Sequence, residues 1–136
     1  MQFYPLHTRS SKVNIEDACI LPDSPTKPLN DVTSHRMETI AREIKTARDN
    51  NKSVMLSFGA HTIKNGLGKV LAALIEGDWV THLATNGAGV IHDWEFAYQG
   101  LSSEDVRENV KVGKFGTWEE SGLYINLALA AGAYQG

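Results

Sequence analysis

Two glycine-bearing turns, each set between an apolar run and a segment of helical spacing, constrain this chain more than any other feature. The first, Ser57-Phe58-Gly59-Ala60-His61-Thr62-Ile63-Lys64-Asn65-Gly66, follows Val54-Met55-Leu56. The second, Thr85-Asn86-Gly87-Ala88-Gly89-Val90-Ile91-His92-Asp93, follows Trp79-Val80-Thr81-His82-Leu83-Ala84. Strand, turn, helix, strand is a βαβ unit. Its crossover is nearly always right-handed, which sets both turns on one edge of a parallel sheet, where α/β proteins bind ligands.

The flanking segments fill in around that unit. Ser53 to Phe58 reads as a buried strand, and Ile63, Leu67, Val70, Leu71, Leu74 and Ile75 share one face of a helix ending at Gly77. Met37, Ile40, Ala41, Ile44 and Ala47 predict an amphipathic helix from Ser34 to about Asn50. Val90 to Tyr98 and Thr117 to Tyr134 read as helices, and Ser102-Ser103-Glu104-Asp105 resembles an N-cap followed by first-turn acids. Residues 1–33 hold all four prolines and read as an extended N-terminal arm ahead of an α/β domain over 34–136.

Two strands cannot form a well-covered parallel sheet, because such sheets are clothed by helices on both faces and average about five or six strands. The apolar helix Asn126 to Tyr134 has no following element to receive it. The fold class expected is therefore α/β, a Rossmann-like parallel sheet with flanking helices forming an incomplete domain. It is either the N-terminal part of a longer chain or a protomer completed by partners.

Composition narrows the function classes. With 13 basic and 16 acidic residues mixed along 136 positions, the net charge of -3 offers no field for nucleic acid or an anionic membrane. The single Cys19 cannot form an internal disulfide, and the first residues lack a secretory apolar stretch, so a cytoplasmic location is expected. Leu123 to Tyr134 is too short to span a bilayer.

The turns suggest two chemistries. Gly59-Ala60 and Gly87-Ala88-Gly89 would let backbone amides at helix N-termini approach a pyrophosphate, although neither stretch has the full G-x-G-x-x-G spacing and glycines there also serve helix packing. His61, His92, Asp93 and Glu95 fall at or just after the strand ends and form a usable metal-ligand or acid-base set, although isolated histidines at turns more often serve as caps or hydrogen-bonded structural groups and no tight metal-ligand motif accompanies them. Lys64 either reaches an anionic ligand or is a solvated helix residue. Trp94 and Phe96 are expected in the core or an interface.

From about Ser53 to about Tyr124 the chain resembles deoxyhypusine synthase and its bacterial homologues. The likeness lies in the order of strand, polar turn ending in Gly66, helix, strand, threonine-small-glycine turn, valine and Asp93, followed by Glu104-Asp105-Val106-Arg107-Glu108-Asn109 and Val112-Gly113-Lys114-Phe115-Gly116. It covers about half of the chain. The resemblance implies a tetrameric Rossmann-like enzyme that uses NAD to oxidise a polyamine before transferring an aminobutyl group. It implies NAD between Gly59, Ala60 and His61 on one side and Thr85, Asn86, Gly87, Ala88 and Gly89 on the other. Lys64 would be near the phosphates, Asp93 near a ribose or amine, and His92 against the substrate. The chain departs from the family at Gly59-Ala60-His61, where the family has threonine-serine-asparagine, and at Ile91-His92, where it has two glutamates. No lysine here matches the family's covalent lysine, so these residues alone are expected to be inactive. The rival expectation is a non-catalytic nucleotide-binding or oligomerisation module.

Overall fold

The computed structural model describes residues 2–136. The chain is a mixed α/β protein with one parallel and one antiparallel strand pair. A 3-10 turn (Leu6–Thr8) leads into β1 (Ser11–Asn14) and α1 (Ile15–Ala18), then α2 (Asp31–Asp49) and β2 (Met55–Phe58). The crossover is α3 (Ala60–Lys64) and α4 (Gly68–Glu76), leading to β3 (His82–Thr85) and α5 (Gly87–Gln99). β4 (Leu101–Glu104), α6 (Val106–Lys111) and α7 (Glu119–Gln135) complete the order.

β2 and β3 pair in parallel, with Met55 opposite His82 and Phe58 opposite Thr85, so the βαβ unit forms where the sequence puts it. Its crossover is two helices rather than one. Gly66 adopts φ +79°, and a Cβ there would lie 1.8 Å from the Ala18 carbonyl oxygen; the Ile20 amide donates to the Gly66 carbonyl at 3.0 Å. Only glycine tolerates both the left-handed backbone and that approach, so the helical pattern breaks at the place where α1 docks. β3 also starts later than the apolar run suggests, because the amides of Trp79 and Val80 donate to Leu74 at the end of α4.

Residues 2–33 contain structure that the prolines conceal. β1 pairs antiparallel with β4, Ser11 opposite Glu104 and Val13 opposite Ser102. The segment Ser102 to Glu104 is thus strand, and Asp105 is the N-cap, accepting from the Glu108 amide. α2 starts at Asp31 rather than Ser34 because Asn30 caps it through the Thr33 amide at 2.8 Å.

The core is small. Ile63, Leu71 and Phe96 are buried together, with Val13, Ile15, Leu56 and Phe58 packed on them. β2 is covered on one face only: Leu56 and Phe58 turn inward, while Met55 is 69% exposed. α7 is apolar on all sides, yet Leu123, Leu127 and Leu129 are exposed. The accessible surface is 9778 Å². A compact monomer of this 14.9 kDa mass is expected to expose about 7,000 Å². No helix among the described residues is long and apolar enough to cross a membrane.

Candidate functional site

The second turn ends β3 and opens α5. Asn86 sits in extended backbone as the N-cap, and its Oδ1 accepts the Gly89 amide at 3.0 Å. That amide is therefore spent on the helix itself. Gly89 is required sterically, since a Cβ there would meet Thr85 Oγ1 at 2.2 Å. In this turn, then, one glycine serves packing, while Gly87 is open on its Cβ side and no side chain among the described residues caps the Gly87 or Ala88 amide. Those two amides begin a helix of 13 residues, whose N-terminal partial charge favours an anion.

Thr85, Asn86, Gly87 and Ala88 line one open cavity of about 880 Å³, together with Lys64 at the end of α3 and His92 one turn into α5. Small-molecule and cofactor sites span roughly 300–1,000 Å³. Gly59, Ala60 and His61 do not line it, nor do Gly89 and Asp93. The shared site expected from topology thus draws on the second turn and, from the first stretch, on Lys64 alone, not on Gly59, Ala60 or His61. The N-cap of α3 is Gly59, which has no side chain to make a cap bond, and α3 is a five-residue helix.

Behind the cavity lies a buried polar network. Glu95 is 1% exposed and Arg9 8%. The Arg9 guanidinium donates Nη1 to Glu95 Oε1 at 2.5 Å and Nη2 to Oε2 at 2.7 Å. Ser102 Oγ donates to Oε2 at 2.6 Å and Ser121 Oγ to Oε1 at 2.9 Å, so each carboxylate oxygen has two donors. Burial pushes the Glu95 carboxyl up, but the hydrogen bonds from Arg9 and Ser102, Arg9's charge and the Ser121 bond outweigh it and hold the group below its ordinary range. Glu95 is a fixed anion.

Helix spacing brings His92 and Glu95, three residues apart on α5, to one face. His92 Nδ1 lies 2.7 Å from Ser102 Oγ. Burial lowers the His92 pKa; Glu95 opposes this, whereas Lys64, Arg9 and His61 add to it. The imidazole is neutral at pH 7.

The chain reaches this arrangement through its ends. Tyr4 bridges to Trp118, with Tyr4 N donating to Thr117 O and Glu119 N to Tyr4 O, both at 2.9 Å. The Leu6 amide donates to Glu120 Oε2 at 2.6 Å. These bonds carry Arg9 over the buried Trp118 ring, 5.9 Å from its centroid. Trp118 Nε1 donates to Glu104 Oε1 at 2.9 Å. Ser103, also on the cavity wall, is held at φ +64°, a left-handed conformation costly for a residue with a side chain.

His92 and Glu95 were visible in sequence as an acid-base pair near a strand end. Arg9, Ser102, Glu104 and Ser121 were not, because each joins the site through tertiary contacts; the one local signal was the hydroxyl-acid run Ser102 to Asp105. Phe96 belongs to the core, and Trp94 is half-buried and stacked on Tyr98 at 4.7 Å. No group of three or more potential metal ligands occurs among the described residues. Compared with protein-family models, with curated proteins and with solved structures, the chain gives no match.

Proposed function

We propose that the chain carries the nucleotide half of a deoxyhypusine-synthase-like, NAD-dependent transferase acting on an amine or polyamine. The observation that carries this reading is the opening of the Thr85–Ala88 turn, at a parallel strand end and a helix N-terminus, onto a cavity bordered by Lys64 and His92. The free Gly87 and Ala88 amides and the Lys64 ammonium suit a pyrophosphate. NAD, when bound, would supply the hydride acceptor; Thr85, Asn86, Gly87, Ala88 and Lys64 are the residues that would hold it.

The amine side of the reading rests on Glu104. It lines the cavity, accepts only from Trp118 Nε1 and the Gly116 amide, and forms no ion pair among the described residues. A carboxylate without a cation suits an ammonium ligand, in place of the glutamate pair that the family has at Ile91-His92. Titration with NAD and with spermidine, followed by tryptophan fluorescence and melting temperature, is expected to give a saturable change, since Trp118 lines the cavity. If neither ligand alters either signal, the proposal fails.

The second reading, an oligomerisation module, is favoured by the excess surface and the bare α7. The difference from a compact monomer is roughly 2,800 Å², enough for a standard interface of about 1,200–2,000 Å². The two readings are compatible in a homo-oligomer, a tetramer if the family's assembly holds. Sedimentation of the wild type and of Leu129→Glu is expected to give an oligomer and a smaller species; a wild-type monomer at all concentrations removes the oligomeric reading.

A further inference from the structure

We infer that His92 is the proton acceptor of the cavity, set in that role by Ser102 and Glu95, which fix the ring nitrogen that carries the proton. The inference rests on the amine reading above for the identity of the ligand. Its basis is a count of donors. An ionised carboxylate only accepts, so Ser102 Oγ must donate its one proton to Glu95 Oε2. At the 2.7 Å contact with His92 Nδ1 the same oxygen can then only accept, and Nδ1 must be the protonated nitrogen. In a neutral imidazole Nε2 is left bare.

Nε2 has no hydrogen-bond partner among the described residues, whereas every fully buried side-chain polar atom among them is paired. It is therefore open to solvent, on a side chain that lines the cavity. The charged or titratable groups acting on the ring are Glu95 on its own helix, Lys64 and His61 from α3, and Arg9 from the N-terminal segment. Burial of the ring is the largest influence and disfavours the imidazolium, Glu95 opposes it, and Lys64, Arg9 and His61 add to it in smaller measure.

For an ammonium ligand in the cavity, burial raises its acidity and the Glu104 carboxylate opposes that. The ligand N–H bond breaks, its electron pair stays on the amine nitrogen, and the proton forms an Nε2–H bond. The imidazolium is then stabilised by the Glu95 carboxylate through Ser102. The amine is left neutral, as it must be to release hydride from its α-carbon. Ser102 does not line the cavity, and both Glu95 oxygens are already taken by protein donors, so the two act as positioning residues.

The test is nitrogen NMR of the ¹⁵N-labelled full chain at pH 7, with spermidine as the probe. The expected pattern is a protonated Nδ1 and an unprotonated Nε2 for His92, with the Nε2 resonance moving on spermidine addition. Ser102→Ala is expected to replace the single pattern by a mixture of tautomers. A protonated Nε2 in the wild type overturns the inference without any variant. So does an Nε2 resonance that stays fixed while fluorescence reports spermidine binding, and in that case the amine reading survives alone. Absence of spermidine binding by both methods overturns the two together.

Discussion

The two strand-to-helix turns look alike in sequence and differ in what stands behind them. The first, Gly59-Ala60-His61, opens a five-residue helix and has no side-chain cap among the described residues; those three residues stay off the cavity, which the helix reaches only through its last residue, Lys64. The second is capped by Asn86, packs Gly89 onto Thr85, and opens a helix whose next turns carry His92 and Glu95 into a saturated network. A glycine turn at a strand end is thus only a position. Its chemistry comes from the helix it starts.

The largest expected effect is on that helix. Glu95→Ala leaves the buried Arg9 guanidinium without its anion and is expected to cost about 3–5 kcal/mol in urea unfolding. Replacing the pair together, as Arg9→Met with Glu95→Leu, is expected to recover much of the loss. If Glu95→Ala alone is neutral, the two turns are less different than the structure makes them.

Gly89→Ala should cost about 1–3 kcal/mol through its clash with Thr85 Oγ1, and adding Thr85→Ala should relieve part of it. Additive effects of the two substitutions would break the packing account of this turn.

Acid should weaken the same side of the molecule. The folded His92 binds a proton less readily than in the unfolded chain, so stability present above pH 6.5 falls as the pH drops below that value. The folded Glu95 carboxyl is also depressed, so its contribution is present above pH 4.5 and is lost as the pH falls toward its folded pKa. Melting temperatures measured from pH 8 to pH 3 should decline in two stages, and His92→Gln should remove the first. The smallest effect belongs to the first turn. Gly59→Ala meets nothing within 4 Å and is expected to change stability by less than about 0.5 kcal/mol.

The βαβ unit, α2, α5 and α7 were legible because apolar spacing is a local signal. The break at Gly66 was not, because it is caused by Ala18, and nothing in the helical pattern records that neighbour. β1 was hidden for a similar reason: Ser11-Lys12-Val13-Asn14 has little strand character until β4 lies beside it. In the site, the residues from the turn and from α5 could be read in sequence, whereas Arg9 and Ser121 could not, being 86 and 26 positions from Glu95.

Those separations bear on the order in which the molecule is made. The Leu6 amide is tied to Glu120 across 114 positions, and Arg9 to Glu95 across 86, so the back wall of the cavity is stitched from opposite ends of the chain. Such closures are slow relative to helix and βαβ formation, because loop entropy is lost before the contact repays it. The second turn and its helix can therefore exist before the cavity does, with Glu95 bare until the N-terminal segment arrives. The same hinge in time runs backwards on opening: release of residues 4–9 would unmake the wall first and leave the strands behind it paired.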